Sequence, residues 1–141
     1  MINKKGDIME FYSGCKNTFY ITKYNKLYDS PQQARNICKD EVDGFIMVKT
    51  NPLTFHMYNK DGSIANMCGN GIRCFIHYCY NHNLITNNNF DCNTLDGIKH
   101  LEIKSINPFI VKVKMGKMID KLDKFNIEFN NNNYLVYSLN F

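Results

Sequence analysis

No stretch of this chain approaches the roughly 20 consecutive apolar residues of a membrane-spanning helix. The opening run, Met1-Ile2-Asn3-Lys4-Lys5-Gly6-Asp7-Ile8, has lysines with no apolar segment behind them, so it does not read as a secretory leader. Runs of basic residues and arginine-rich helices are also missing. The formal net charge of +4 comes from lysines scattered over the whole chain, the pattern of a solvated surface rather than of a nucleic-acid partner. No Cys-x-x-Cys pair occurs, and no internal repeat. These absences predict a cytoplasmic protein that takes neither nucleic acid nor a membrane as partner.

What is present fits one folding unit. At 141 residues the chain is long enough for a single compact domain, here taken as 1–141, and too short for two ordinary ones. Apolar residues make up 44% and charged residues 21%, a globular composition that calls for a core. In the cytoplasm the six cysteines, Cys15, Cys38, Cys68, Cys74, Cys79 and Cys92, are expected as thiols.

Met9-Glu10-Phe11-Tyr12 and Phe19-Tyr20-Ile21-Thr22 flank Ser13-Gly14, which reads as strand, turn, strand. Asp29-Ser30-Pro31 predicts a helix that runs to about Cys38, with a capping side chain ahead of a first-turn proline. Phe45-Ile46-Met47-Val48 and Thr54-Phe55-His56-Met57-Tyr58 predict short buried strands, followed by a polar turn over 59–63. Ile72, Phe75, Ile76 and Cys79 recur at helical spacing and predict the strongest helix, from Ile72 to about Leu84. Strands are expected over 100–103, 109–115 and 134–139, and the Asn tracts 87–89 and 130–133 are expected as surface loops. The fold class is α+β.

The chemistry concentrates in Asn59-Lys60-Asp61-Gly62-Ser63-Ile64-Ala65-Asn66-Met67-Cys68-Gly69-Asn70-Gly71-Ile72-Arg73-Cys74. A cysteine just before a Gly-Asn-Gly that opens a helix lies where backbone N–H groups are unpaired and the helix dipole is positive. Such a position stabilises a thiolate, and the same N–H groups can cradle a carboxylate that the glycines allow to approach. A poised thiol beside a carboxylate cradle is what abstraction of an amino-acid α-proton needs. The spacing alone also suits a small buried cysteine or the neighbour of a phosphate loop.

That segment resembles, position for position, the N-terminal active-site signature of the diaminopimelate epimerase family. Upstream, Met9-Glu10-Phe11 and Gly14-Cys15-Lys16-Asn17-Thr18-Phe19 resemble the family's first strand and its Gly-x-Gly-Asn-Asp-Phe turn, shortened here and with Thr18 in place of Asp. Ala34-Arg35-Asn36-Ile37-Cys38 resembles the next helix, and Val113-Lys114-Met115-Gly116 the family's Met-Gly after a strand. Of the family's glycine-rich stretch before an Asp-Gly or Asp-Gln pair, only Asp43-Gly44 remains.

The resemblance implies a curved, mostly antiparallel sheet or barrel wrapped around a central helix, forming one half of a two-domain enzyme. It implies two cysteines on opposite faces of the substrate α-carbon, one a thiolate base and the other a thiol acid, with no cofactor and no metal. Cys68 would be one of them; Asn17 and Asn59 would bind the substrate's amino-acid groups, and Gly69 and Asn70 would contribute at the helix start. No second Cys-Gly-x-Gly occurs, and the chain stops at Phe141, where the family continues into Gly-Asn-Pro-His. The expected partner is therefore a C-terminal epimerase domain or a second copy of the chain, besides the small amino-acid substrate.

Rival readings are a racemase of another amino acid and a non-catalytic half-domain that pairs with itself. Proline racemases resemble this group but place His after Cys-Gly, so Asn70 and Arg73-Cys74 favour the diaminopimelate type. Cys74, His77, Cys79 and His82 invite a zinc site, but their Cys-x-x-His pairs fall on different helix faces. Arg73 is expected to pair with a carboxylate or cap backbone carbonyls, and Asp61 to be a turn residue.

Overall fold

Phe45-Ile46-Met47-Val48 is apolar at every position, which suits a strand covered on both faces. In the computed structural model this run is such a strand; the structure describes residues 8–39, 41–116 and 122–139. The elements are β1 (Glu10–Gly14), β2 (Asn17–Lys23), a 3-10 turn (Lys26–Tyr28), α1 (Pro31–Cys38), β3 (Gly44–Thr50), β4 (Leu53–Asn59), β5 (Ile64–Ala65) and α2 (Gly69–Asn81). After them come β6 (Asn89–Thr94), β7 (Gly97–Ile106), β8 (Phe109–Val113), β9 (Leu122–Phe129) and β10 (Asn132–Leu139).

Among the described residues, one sheet runs in the order β1-β2-β3-β4-β6-β7-β8 with β5 appended to β4, while β9 and β10 pair only with each other. The β2–β3 and β4–β6 pairs are parallel. The other pairs are antiparallel. Helix α2 packs against β1, β2 and β3 and also against β8 at the opposite edge, so the sheet curls around it as a half-barrel. The expected curved, mostly antiparallel sheet around a central helix is therefore present. His77 of α2 bridges the two edges: it stacks on Phe109 of β8 at 4.2 Å and meets Tyr12 of β1 edge-on at 5.6 Å.

The two-residue repeat of β3 divides its side chains between two cores. Ile46 and Val48 join Phe19, Ile21, Phe55 and Met57 against Ile72, Phe75 and Ile76 of α2. Phe45 and Met47 join Tyr20 and Tyr58 against Ala34 and Cys38 of α1. Each such apolar side chain contributes roughly 1.5–3 kcal/mol by leaving water. The layers are thus α1, sheet, α2, with the second helix inside the curl.

Helix α1 starts as the sequence predicts: the Gln33 N–H donates to the Ser30 hydroxyl at 3.3 Å, and Pro31 takes the first turn. The residue before this cap ties the helix to the sheet. One oxygen of Asp29 accepts from Tyr58 at 2.8 Å and lies 2.7 Å from His56 Nε2, and the other accepts from Tyr24 at 2.7 Å. Burial alone would raise the Asp29 carboxyl, but the hydrogen bonds from Tyr24, Tyr58 and His56 outweigh it and hold it below the usual carboxylate range.

A carboxyl lowered in the fold binds fewer protons there than in the unfolded chain, so its stabilisation is full above the unfolded value and disappears as pH falls through the folded one. Asp29→Asn is expected to lower urea stability at pH 7 by about 2 kcal/mol. The gap to the parent should close as pH falls below about 4. A gap constant from pH 7 to pH 2 in urea titrations would remove this role from Asp29.

Several sequence expectations need correction. The first turn is Cys15-Lys16, not Ser13-Gly14, which stay in β1 opposite Thr18 and Asn17. Both turn residues have positive φ, 51° and 73°, the left-handed pair that matches the twist of a two-residue hairpin. Helix α2 spans Gly69–Asn81 instead of Ile72 to Leu84. It stops because Asn83 turns left-handed (φ 53°) and the Leu84 N–H folds back onto the Cys79 carbonyl at 2.9 Å. The Asn tracts are not simply loops, since Asn89 opens β6 and Asn132 and Asn133 lie in β10. No helix among the described residues is long and apolar enough to cross a membrane.

Candidate active site

Register brings the candidate residues to one end of the sheet. Gly44 of β3 pairs with Phe19 of β2 on one side and Asn59 of β4 on the other. The starts of β2 and β3 and the end of β4 therefore lie side by side. Asp43, just ahead of β3, receives the Thr18 N–H at 2.8 Å, the Thr18 hydroxyl at 3.3 Å and the Asn17 amide at 3.3 Å. Its own N–H returns to the Thr18 carbonyl at 2.9 Å. The backbone hydrogen bond from Thr18 is the largest influence in holding the Asp43 carboxyl below the usual range. Thr18, where the family resemblance calls for Asp, thus places a donor beside Asp43 where a second carboxylate would repel it.

Cys68 is the N-cap of α2. Its backbone is extended (φ −143°, ψ 113°), its carbonyl accepts the first helical N–H, from Ile72, at 2.8 Å, and its sulfur accepts the Gly71 N–H at 3.2 Å. A Cβ at position 71 would stand 3.2 Å from the Met57 sulfur and 3.3 Å from the Cys68 sulfur, so glycine lets the thiol lie over the helix start. Two residues on, the Asn70 amide donates to Asn17 Oδ1 at 2.7 Å, joining the helix start to β2 across 53 positions of sequence. The wall beside Gly69 is the Met115 side chain, whose carbonyl is held at 3.1 Å by the buried amine of Lys99, itself paired with Asp96 at 2.7 Å.

The other cysteines are placed differently. Burial pushes Cys38 and Cys74 up to about 11 and Cys92 up to about 12, and Cys79 higher still. Cys15 is exposed on the β1–β2 turn, where its sulfur receives Arg73 Nη2 at 3.3 Å.

The structure thus joins Asn17 to Asn70 and sets Cys68 and Gly69 in the same helix start. Asn59 stands at the same sheet end, but its amide donates to Ser63 at 2.9 Å within the turn over 59–63. Asp61 is the turn residue the sequence predicts, accepting from the Ser63 N–H and hydroxyl at 2.8 and 2.6 Å. Arg73 departs from expectation: among the described residues it reaches neither a carboxylate nor a backbone carbonyl but donates to the side-chain oxygen of Asn70 and to Cys15. Asp43 was visible in the sequence only as part of the Asp43-Gly44 pair left of the family's glycine-rich segment; its three donors come from β2 and could not be read from it.

Of the residues considered for zinc, Cys74 and Cys79 are buried in the α2 core, His77 stacks on Phe109 and His82 pairs with Glu10 at 2.6 Å. Among the described residues no group of three or more His, Cys, Asp or Glu is placed to hold a metal ion.

The diaminopimelate epimerase family matches residues 12–119, a range that holds Asn17, Asp43, Asn59 and the whole start of α2. The chain belongs to this family. Among relatives named diaminopimelate epimerase, that of Alkaliphilus metalliredigens is 36% identical over 97 residues, covering 62% of this chain and 34% of the relative. That of Halothermothrix orenii is 40% identical over 100 residues, 63% of this chain and 35% of the relative. That of Methanothermobacter thermautotrophicus is 34% identical over 104 residues, 67% and 36%. The chain therefore spans about a third of the length of the curated epimerases it matches. A phenazine biosynthesis protein of the PhzF family from Bacillus anthracis shares the fold, with a TM-score of 0.59 at 12% identity over 84% of this chain and 41% of that one.

Proposed function

We propose that the chain is the N-terminal half of a cofactor-independent diaminopimelate epimerase, interconverting LL- and meso-diaminopimelate in the cytoplasm for lysine and peptidoglycan precursor synthesis. In this reading Cys68 is one of two acid/base cysteines. The observation that carries it is the Cys68 sulfur at the α2 N-cap, 3.2 Å from the Gly71 N–H, in the same helix start as the amide joined to Asn17. N–H groups and the positive end of a helix dipole stabilise negative charge on such an atom.

The substrate α-carboxylate would lie against N–H groups of Asn17 and Asn70 and the backbone of Gly69, with Asn59 turned to the α-amino group. As thiolate, Cys68 takes the α-proton from one face, and the electron pair left on the α-carbon spreads into the carboxylate, where those donors stabilise it. A second thiol gives its proton to the opposite face. Substrate and product leave the two sulfurs in exchanged protonation states, so the reverse reaction uses the same pair.

The second sulfur is assigned outside the chain. Cys38, Cys74, Cys79 and Cys92 are buried and held as thiols, and Cys15 lies on a hairpin turn. The partner is a C-terminal epimerase domain or a second copy contributing its own site. Incubated alone with diaminopimelate in heavy water, the chain is expected to exchange no α-hydrogen above background. Assembled with a second half it should exchange, and Cys68→Ala should then lower the rate by at least about 100-fold. Exchange by the lone chain that depends on Cys68 would dismiss the need for a second half; undiminished exchange by the assembled Cys68→Ala form would dismiss the role of Cys68.

A further inference from the structure

Asn17 and Asn70 belong to a chain of side-chain hydrogen bonds with a defined direction. Arg73 donates to Asn70 Oδ1, Asn70 Nδ2 donates to Asn17 Oδ1 at 2.7 Å, and Asn17 Nδ2 donates to Asp43 Oδ2 at 3.3 Å. The two ends have opposite chemistry. A guanidinium has donors and no acceptor, and an ionised carboxylate has acceptors and no donor. Asp43 is kept ionised chiefly by the Thr18 N–H, and the Arg73 guanidinium offers Asn70 nothing but donors.

An asparagine amide is nearly symmetric in shape, so packing alone barely distinguishes its two orientations. Turning Asn70 over would aim its NH2 at Arg73; turning Asn17 over would aim its oxygen at the Asp43 carboxylate. We infer that Arg73 and Asp43 are positioning residues that lock both amides in one orientation from opposite ends, without either needing to touch a ligand.

The inference rests on the epimerase reading for its purpose. Each Nδ2 carries two hydrogens, and the relay uses one, so each amide keeps one N–H for a ligand. A pair fixed this way favours an anionic acceptor such as an α-carboxylate. The opposite orientation would favour a cation. A site that must reject the wrong end of a molecule with amino and carboxylate groups at both its ends gains from amides that cannot turn.

The test needs no ligand. In the nitrogen-15-labelled chain, the side-chain amides of Asn17 and Asn70 are assigned by their loss in Asn17→Asp and Asn70→Asp. Hydrogen exchange of these amides is expected to be about tenfold slower than in exposed asparagines, the protection one net-favourable hydrogen bond gives. Asp43→Asn should remove the protection at Asn17, and Arg73→Met should remove it at Asn70. Arg73→Lys, which keeps a donor-only end, should retain it. Backbone amides from Phe75 to Cys79 in α2 should exchange as in the parent throughout.

Unchanged side-chain exchange in Asp43→Asn and Arg73→Met overturns the inference. Acceleration of the α2 backbone in step with the side chains overturns it too, since the residues would then hold the helix and not the amides. The Arg73 pair decides the matter even where Asp43→Asn does not fold. An assembled enzyme with no epimerase activity would remove the function proposed above and leave this result standing.

Discussion

Treated briefly with iodoacetamide at neutral pH, the native chain is expected to be alkylated at Cys68 and Cys15 and spared at Cys38, Cys74, Cys79 and Cys92. The reacting species is the thiolate, so the rate follows both access to the sulfur and the fraction ionised. Cys38 and Cys79 have no exposed surface, and Cys92 none either. Burial also pushes Cys38 and Cys74 up to about 11 and Cys92 up to about 12. A thiol moved from its ordinary value to about 11 carries roughly two orders of magnitude less thiolate at neutral pH, before access is counted. Cys68 is half-buried and lies at the helix start, and Cys15 is exposed. Peptide mass mapping after timed quenching reads the pattern directly, and unfolding in urea should make all six cysteines react alike. Native-state labelling of Cys74 at a rate comparable to Cys68 would mean that the α2 face carrying Cys74 is not packed, and the case for Cys68 as the reactive thiol of the site would fail with it.

This selectivity was partly legible in the sequence. The start of α2 depends on neighbours: a cap residue, small residues behind it and an apolar repeat at helical spacing. The segment around Cys68 therefore declares itself, and the same locality makes Ser30-Pro31 a readable helix start. Strand β3 was readable because it is covered on both faces and so is apolar throughout. Strand β6, Asn-Phe-Asp-Cys-Asn-Thr, was not. Only Cys92 in it is fully buried, and its polar alternation looks like the loop that the preceding asparagines suggest. The Cys15-Lys16 turn was misplaced because neither residue advertises a positive φ, whereas Gly14 does. Gly14 is instead required for space, since a Cβ there would fall 2.8 Å from the Cys74 sulfur. The amide relay was out of reach altogether. Asn17 and Asn70 meet only after β2 and α2 have packed, and a sequence records neither the contact nor the direction of its hydrogen bonds.

Phe75→Ala is expected to cost about 3–5 kcal/mol of unfolding free energy, the range for removing a fully buried phenylalanine ring. Phe75 has no exposed surface, lies in the middle of α2 and meets Phe55 of β4 edge-on with ring centroids 5.5 Å apart. The curled sheet has α2 as its filling. The cavity left by the ring would be lined by β-strand side chains whose backbones are tied to one another, so collapse around it is restricted. Domains of this size are stable by only about 5–15 kcal/mol, so the loss is at least about a fifth of the total and can reach all of it. The variant should show a urea midpoint lowered in proportion, with the slope of the transition nearly unchanged. Leu95, 61% exposed on the turn between β6 and β7, gives the contrast: Leu95→Ala should stay within about 0.5 kcal/mol of the parent. The consequence reaches the site, because Asn70 and Arg73 are carried by α2 and Cys68 is its N-cap. Were Phe75→Ala to cost less than about 1 kcal/mol, α2 would not be the centre of the core. The alignment of the Cys68 sulfur over the helix start would then need another source of rigidity.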